Sequence, residues 1–232
     1  MSLKAVLFDF NGVIINDEAI HQKLIDQILI EENLRPNPKQ DNQVCLGRND
    51  RACLSELLMQ RGRVVTDAHL TSLIIRKSQR YQREIAALER LPIYSGLQDL
   101  MFNIRAAQLK MAVVSGALHT EITTVLEMAQ LSPYFSAIVG GDDVDTSKPE
   151  PEGYLLAVAQ LNQQYPELNL SPAECLAIED TPAGIQAAKR AGMTVVGVAN
   201  TYPFHMMQRQ SNWAVDYLSD LELERVQQVY SR

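Results

Sequence analysis

The run LFDFNGVIINDE, residues 7–18, decides how this chain is read. It opens as part of a continuous apolar stretch, LKAVLFD at 3–9, of the kind that forms a strand buried on both faces of a parallel sheet. It then delivers a carboxylate, Asp9, an amide two residues on, Asn11, and a turn at Gly12. Polar groups that follow a buried strand in an open α/β sheet stand at its carboxyl end, where such sheets bind ligands.

Working outward, further compact runs of Val, Ile, Ala and Leu predict strands at 111–115, 137–140, 174–179 and 194–199, with a weaker one at 213–218. Between them lie helical patterns at 97–108, 119–130, 152–164 and 182–191. The last opens on Pro182 and closes before Gly192, which are helix start and stop signals. Strand and helix alternate, which predicts an α/β fold with a Rossmann-like, doubly wound parallel sheet.

About a hundred residues separate the first strand from the second, whereas a crossover needs only a dozen or more. This interval shows no convincing strand. It holds amphipathic helical patterns near 17–33, 50–61 and 67–89, so an inserted helical cap is expected. Its linkers fall near 15–17 and 91–95, giving a core of 1–15 and 92–232 and a cap of 16–91. The charged run RKSQRYQRE at 76–84 is expected to be a solvated helix face.

Composition narrows the function. Residues of 232 that are 46% hydrophobic and 21% charged bury a proper core. A net charge of −7 argues against a nucleic-acid partner, since such binders usually carry a basic stripe. Cys45, Cys53 and Cys175 are few and scattered, so neither a disulfide framework nor a zinc site is indicated, and a reducing, cytoplasmic setting is the simpler expectation. No basic leader with a long apolar segment is seen, and no stretch nears the roughly 20 apolar residues of a membrane helix. The acidic loop GGDDVDTS at 140–147 lacks the spacing and closing Glu of a calcium loop, and no phosphate-binding GxxxxGK[ST] loop is present. Oligomeric state is not legible.

Four predicted strand ends carry polar groups: Asp9 and Asn11, then Ser115 and Gly116, then Lys148, then Glu179 and Asp180. One by one they have ordinary readings as turn formers or helix caps. Together, in strand order, they suit a phosphate: carboxylates hold a hard cation, Lys and Ser meet phosphoryl oxygens, and Asp9 can attack phosphorus.

The segments LFDFNGVIINDEAIH, VVSGA, SKPEPEGYLLA and AIEDTPAGIQAAKRAGM resemble the four motifs of the haloacid dehalogenase superfamily, in the branch similar to β-phosphoglucomutase with a helical cap. The resemblance spans most of the chain. It implies a Mg2+-dependent phosphatase or phosphotransferase acting on a small phosphorylated metabolite, with Asp9 as nucleophile through an aspartyl phosphate. It further implies that Ser115, Gly116 and Lys148 hold the phosphoryl group, and that Asp9, the backbone carbonyl of Asn11, Glu179 and Asp180 surround the metal. In the cap it nominates His21, Arg48 and Lys77 for substrate. A phosphonate hydrolase would need a Schiff-base lysine, for which Lys23 and Lys77 are the cap candidates. A dehalogenase dispenses with magnesium, and the retained Glu179 and Asp180 argue against it.

The chain departs from the family at Asn11, where phosphatases and mutases carry a second Asp that protonates the leaving oxygen and activates water. An amide does no general acid–base work, a loss worth roughly 10²–10⁴-fold. Three explanations follow. The enzyme is a slow one or takes substrates with good leaving groups, such as acyl phosphates or anhydrides; or it is a weakly turning-over phosphate-binding or regulatory protein; or Asn11, which precedes Gly12, is converted to Asp by deamidation. A mutase is a further alternative.

Overall fold

The computed structural model describes residues 2–230. Along the chain come β1 (Ala5–Phe8), α1 (Glu18–Glu31), α2 (Pro38–Cys45), α3 (Asp50–Gln60), α4 (Asp67–Ala86), α5 (Leu97–Ala106), β2 (Lys110–Val114) and α6 (His119–Met128). These are followed by β3 (Ala137–Val139), α7 (Glu152–Gln164), β4 (Cys175–Glu179), α8 (Pro182–Arg190), β5 (Thr194–Val198), α9 (Phe204–Gln210), β6 (Trp213–Val215) and α10 (Leu223–Tyr230). All six strands are parallel, in the order β3-β2-β1-β4-β5-β6. The Rossmann-like expectation holds, and the weak sixth strand is real.

β1 sits at the centre because it is buried on both sides. Its residues alternate between two apolar layers: Val6 and Phe8 pack with Leu100, Ile104 and Val125 on one face, Ala5 and Leu7 with Ala157, Leu161 and Ile185 on the other. The register aligns Phe8 with Val113 of β2 and Ile178 of β4, so the residues after all three strands open onto one edge of the sheet. α8 begins where expected: the Thr181 side chain accepts a bond from the Gly184 N–H and Pro182 occupies the first turn.

The helices α1–α4 are inserted between β1 and β2 and carry apolar clusters of their own, one around Ile28, Leu54, Leu58 and Leu73, another around Ile25, Leu29 and Leu57. Both crossings from sheet to helices lie side by side. Asn16 N–H donates to Pro92 O (2.8 Å), Tyr94 N–H donates to Ile14 O (3.0 Å), and Ile15 and Ile93 form an antiparallel bridge.

The sequence missed or misread five features. The short, polar α2, α9 and α10 have no long apolar period to announce them. The run 76–84 is not simply a solvated face: Lys77, Ser78 and Tyr81 are buried, because the side of α4 they share packs against α1 and against α6 of the core, while Arg76 and Arg80 on the other side reach Glu31. Cys45 and Cys53 form a disulfide, where no disulfide framework was expected; α2 ends and α3 begins around one tight loop, which brings their Cα atoms to 4.6 Å. No helix among the described residues is long and apolar enough to cross a membrane.

Candidate active site

The carboxyl edge of the sheet assembles the residues that the strand ends supply. Asp9 follows β1 directly; its N–H donates to Ile178 O (3.0 Å), and its Oδ1 accepts the Phe10 N–H (2.7 Å). Lys148 Nζ reaches Asp9 Oδ1 (3.0 Å), Glu179 Oε1 (2.7 Å) and Val114 O (3.0 Å), which engages all three of its donors. Burial works against its charge, but Asp9 and Glu179 outweigh it and hold the ammonium well above its ordinary range. Tyr154 O–H donates to the same Glu179 Oε1 (2.6 Å). Ser115 Oγ accepts the Ala117 N–H (3.0 Å) and faces Asn11 Oδ1 at 3.4 Å.

Asp9, Glu179 and Asp180 each offer an oxygen within 4.8 Å of the others, and all three are buried. Glu179 Oε2 and Asp180 Oδ1 have no hydrogen-bond partner. Burial and the neighbouring Asp9 push the Glu179 carboxyl up to about 7 and that of Asp180 well above its ordinary range. Lys148 brings one positive charge to three crowded carboxylates, two of which keep an orphaned oxygen, and an all-oxygen donor set suits a hard divalent cation. The backbone at Gly12 follows from this crowding. Its φ of +80° favours glycine, and a Cβ there would lie 1.9 Å from Asp180 Oδ2.

Asn11 is clamped rather than free. Its Nδ2 lies 2.9 and 3.0 Å from the two carboxylate oxygens of Asp17 and 3.1 Å from His21 Nε2. Asp17 is 1% exposed and also accepts the Tyr81 O–H at 2.5 Å. Burial would raise the Asp17 carboxyl, yet His21, Tyr81 and Asn11 together keep it below its ordinary range. His21 stacks on the Tyr81 ring with centroids 4.7 Å apart. Burial and Lys77 work against its protonation, but Asp17 and Glu121 prevail and raise it.

These groups line a cavity of about 60 Å3, bounded by Asp9, Asn11, His21, Arg48, Ser115 and Asp180. That is room for a phosphoryl group or a few waters, with the cap helices as a roof. The roof is closely fitted. A Cβ on Gly116 would meet the Arg48 carbonyl oxygen at 2.8 Å, one on Gly47 would meet Thr181 Oγ1 at 2.6 Å, and Asn49 N–H donates to Ser147 Oγ (2.8 Å). The Cys45–Cys53 bond brackets this loop.

A family model for haloacid dehalogenase-like hydrolases matches residues 6–198. The chain belongs to that family. It is 31% identical to β-phosphoglucomutase of Bacillus subtilis over 96% of its own length and 93% of the relative's. It is 29% identical to protein CbbY of Rhodobacter capsulatus, over 94% and 95%. A solved structure of β-phosphoglucomutase from Clostridium difficile superposes with a TM-score of 0.86 at 23% identity, covering 99% of this chain and 97% of that one, which speaks for the fold alone.

Within this hydrolase the structure gathers Asp9, Asn11, Ser115, Gly116, Lys148, Glu179 and Asp180 on one edge, and it brings His21 and Arg48 to the cavity. It does not bring the two cap lysines there. Lys77 is buried against Asp50 (2.8 Å) and faces Glu121 of the core at 3.9 Å, while Lys23 is half exposed and paired with Glu84 (2.7 Å). Sequence reasoning passed over Asp17, Tyr81 and Tyr154. Asp17 and His21 stand four apart at a helix start, a spacing that was available as a signal; the tyrosines meet their partners only across the folded chain.

Proposed function

We propose that this hydrolase is a Mg2+-dependent phosphatase of small phosphorylated metabolites that works through an aspartyl phosphate on Asp9. The observation that carries this reading is the surroundings of Asp9. Its carboxylate follows the central strand, borders the cavity and touches Lys148 at 3.0 Å, with two carboxylates beside it that each keep an oxygen without a partner. Asp9, Glu179, Asp180 and the carbonyl of Asn11 would hold Mg2+, which when bound supplies charge neutralisation for the phosphoryl oxygens. Asp9 attacks phosphorus in line, Ser115, the backbone at Gly116 and Lys148 orient the transferred group and stabilise its charge, and the cap excludes bulk water. His21 and Arg48 face the substrate from the roof. Lys148 forms new contacts by giving up one of its present three.

Relatives named as a phosphoglucomutase and as phosphatases support phosphoryl chemistry on carbohydrate-sized compounds. Hydrolysis is favoured over mutase action because Asn11 has no proton to shuttle between two sugar hydroxyls. The cytoplasm is the setting we assign, and there Cys45 and Cys53 would stand largely as thiols. The test is phosphate release with Mg2+, with and without a chelator, from the native chain and from Asp9→Asn. Loss of release in both the chelated and the substituted samples is expected. Release that survives Asp9→Asn refutes the covalent route. A chain that phosphate and Mg2+ stabilise against heat, without any substrate being consumed, would instead be a binding protein, the role to which the Asn11 amide lends weight.

A further inference from the structure

We infer that Asn11 and Asp17 are a matched pair: Asp17 is a positioning residue that requires an amide at 11, and the site is thereby set for phosphoryl groups on leaving groups that depart unprotonated, the acyl phosphates and phosphoanhydrides. This rests on the phosphatase reading above.

The geometry is that of donor against acceptor. Both Asp17 oxygens lie at 2.9 and 3.0 Å from the Asn11 amide nitrogen, and Asp17 has no exposed side chain to turn toward water. Its remaining partners, Tyr81 O–H at 2.5 Å and His21 Nε2 at 3.3 Å, fix it from the cap side. The amide is thus pinned between the start of α1 and the sheet edge, with its Oδ1 turned to Ser115. A carboxylate at 11 would meet another carboxylate at that distance in a buried place, where two such groups cannot both stay ionised. An acid at 11 would share its one proton with the carboxylate at 17 instead of giving it to a leaving oxygen, unless that carboxylate is removed. The amide is therefore built into its surroundings.

The chemistry follows. With an acyl phosphate, an Asp9 oxygen bonds to phosphorus as the bond from phosphorus to the acyl oxygen breaks, and the electron pair leaves on a carboxylate that needs no proton. Water then bonds to the same phosphorus, Asp9 is released as carboxylate, and the proton lost by water departs with inorganic phosphate and solvent. An alkyl phosphate would expel an alkoxide, which does need the proton that Asn11 lacks.

The test uses five proteins: the native chain, Asn11→Asp, Asp17→Asn, and the two doubles that pair Asn11→Asp with Asp17→Asn or with Asp17→Ser. Each is assayed with Mg2+ on acetyl phosphate and on a hexose phosphate, and each is melted. The native chain is expected to favour acetyl phosphate by at least about 10²-fold in kcat/KM. Asn11→Asp alone should gain less than about threefold in kcat on the hexose phosphate and melt lower. A double should gain about 10²-fold and recover melting temperature. A full gain from Asn11→Asp alone, or additive melting shifts, overturns the pairing. Equal native rates on both substrates overturn the leaving-group inference, with His21 then the obvious proton source. If Asp9→Asn, carried over as the control from the phosphatase test, hydrolyses acetyl phosphate as well as the native chain does, the covalent route through Asp9 fails, while the melting cycle still judges the pair.

Discussion

Replacing Lys77 by methionine strips the positive charge from a buried cluster where cap meets core, and the cost can be worked from the structure. The ammonium is 1% exposed, 2.8 Å from Asp50 in the cap and 3.9 Å from Glu121, which projects from α6 and is fully buried. Breaking a buried pair while leaving its partner charged costs about 3–5 kcal/mol. Asp50 retains some contact with water, and methionine keeps most of the aliphatic stem, so the low end, about 3 kcal/mol, is expected near pH 8. In a chain of this size that lowers the melting temperature by roughly 6–12 °C. The loss should depend on pH. Burial already outweighs Lys77 and holds the Glu121 carboxyl above its ordinary value of 4.5. Without Lys77 it rises further, so the folded chain keeps a proton that the unfolded chain releases, and stability falls as pH rises from about 5 to 8. Melting Lys77→Met and Lys77→Met/Glu121→Gln across that range is the assay, and the second substitution should flatten the slope. A loss below about 1 kcal/mol at pH 8, or the same loss at pH 5.5 and 8, would refute the buried-charge argument.

Gly12→Ala should cost more than its one methyl suggests. The left-handed φ costs about 1–2 kcal/mol, and the Cβ collides with Asp180, so Mg2+ should lose its stabilising effect in a thermal titration. Reducing Cys45–Cys53, or substituting Cys53→Ser, removes a short loop closure worth roughly 2.5 kcal/mol, and trypsin should then cut faster at Arg48 and Arg51. Lys4 and the backbone and hydroxyl of Ser171 hold the Glu174 carboxyl below its ordinary 4.5. The stability it contributes is present above that pH and lost as pH falls through the lowered value, so Glu174→Gln should flatten the acid limb of an unfolding curve.

The sheet was legible because each strand is a short Val/Ile/Ala run ended by a polar residue, and the insertion because the chain between β1 and β2 is far too long for a crossover. The core half of the site was legible for the same reason: a residue that follows a buried parallel strand has one place to go, the carboxyl edge. The cap half was not. Lys77 and Tyr81 lie in a run that reads as charged surface, yet four-residue spacing puts them on the one side of α4 that faces α1 and the core. Asp17 reads as a linker residue, since nothing in the local sequence says that Tyr81, far along the chain, will close over it. Asn11 alone looks like a lost catalytic acid. Only beside Asp17 does it become a donor with an acceptor.

The Ile15–Ile93 bridge carries a consequence for how such a protein can change. The whole helical insertion leaves and re-enters the sheet through a gap one hydrogen-bonded pair wide, so a turn of two to five residues would close the core without it. Chain closure is insensitive to what is inserted, each doubling in length adding only about 0.6 kcal/mol. Asp9, Ser115, Lys148 and Asp180 all lie outside this doorway, while His21 and Arg48 lie beyond it. On the roles proposed above, reactivity and selectivity would sit on opposite sides of the doorway, and a new roof would have to bring its own partners for Asn11 and Glu121, the floor residues that Asp17 and Lys77 now meet.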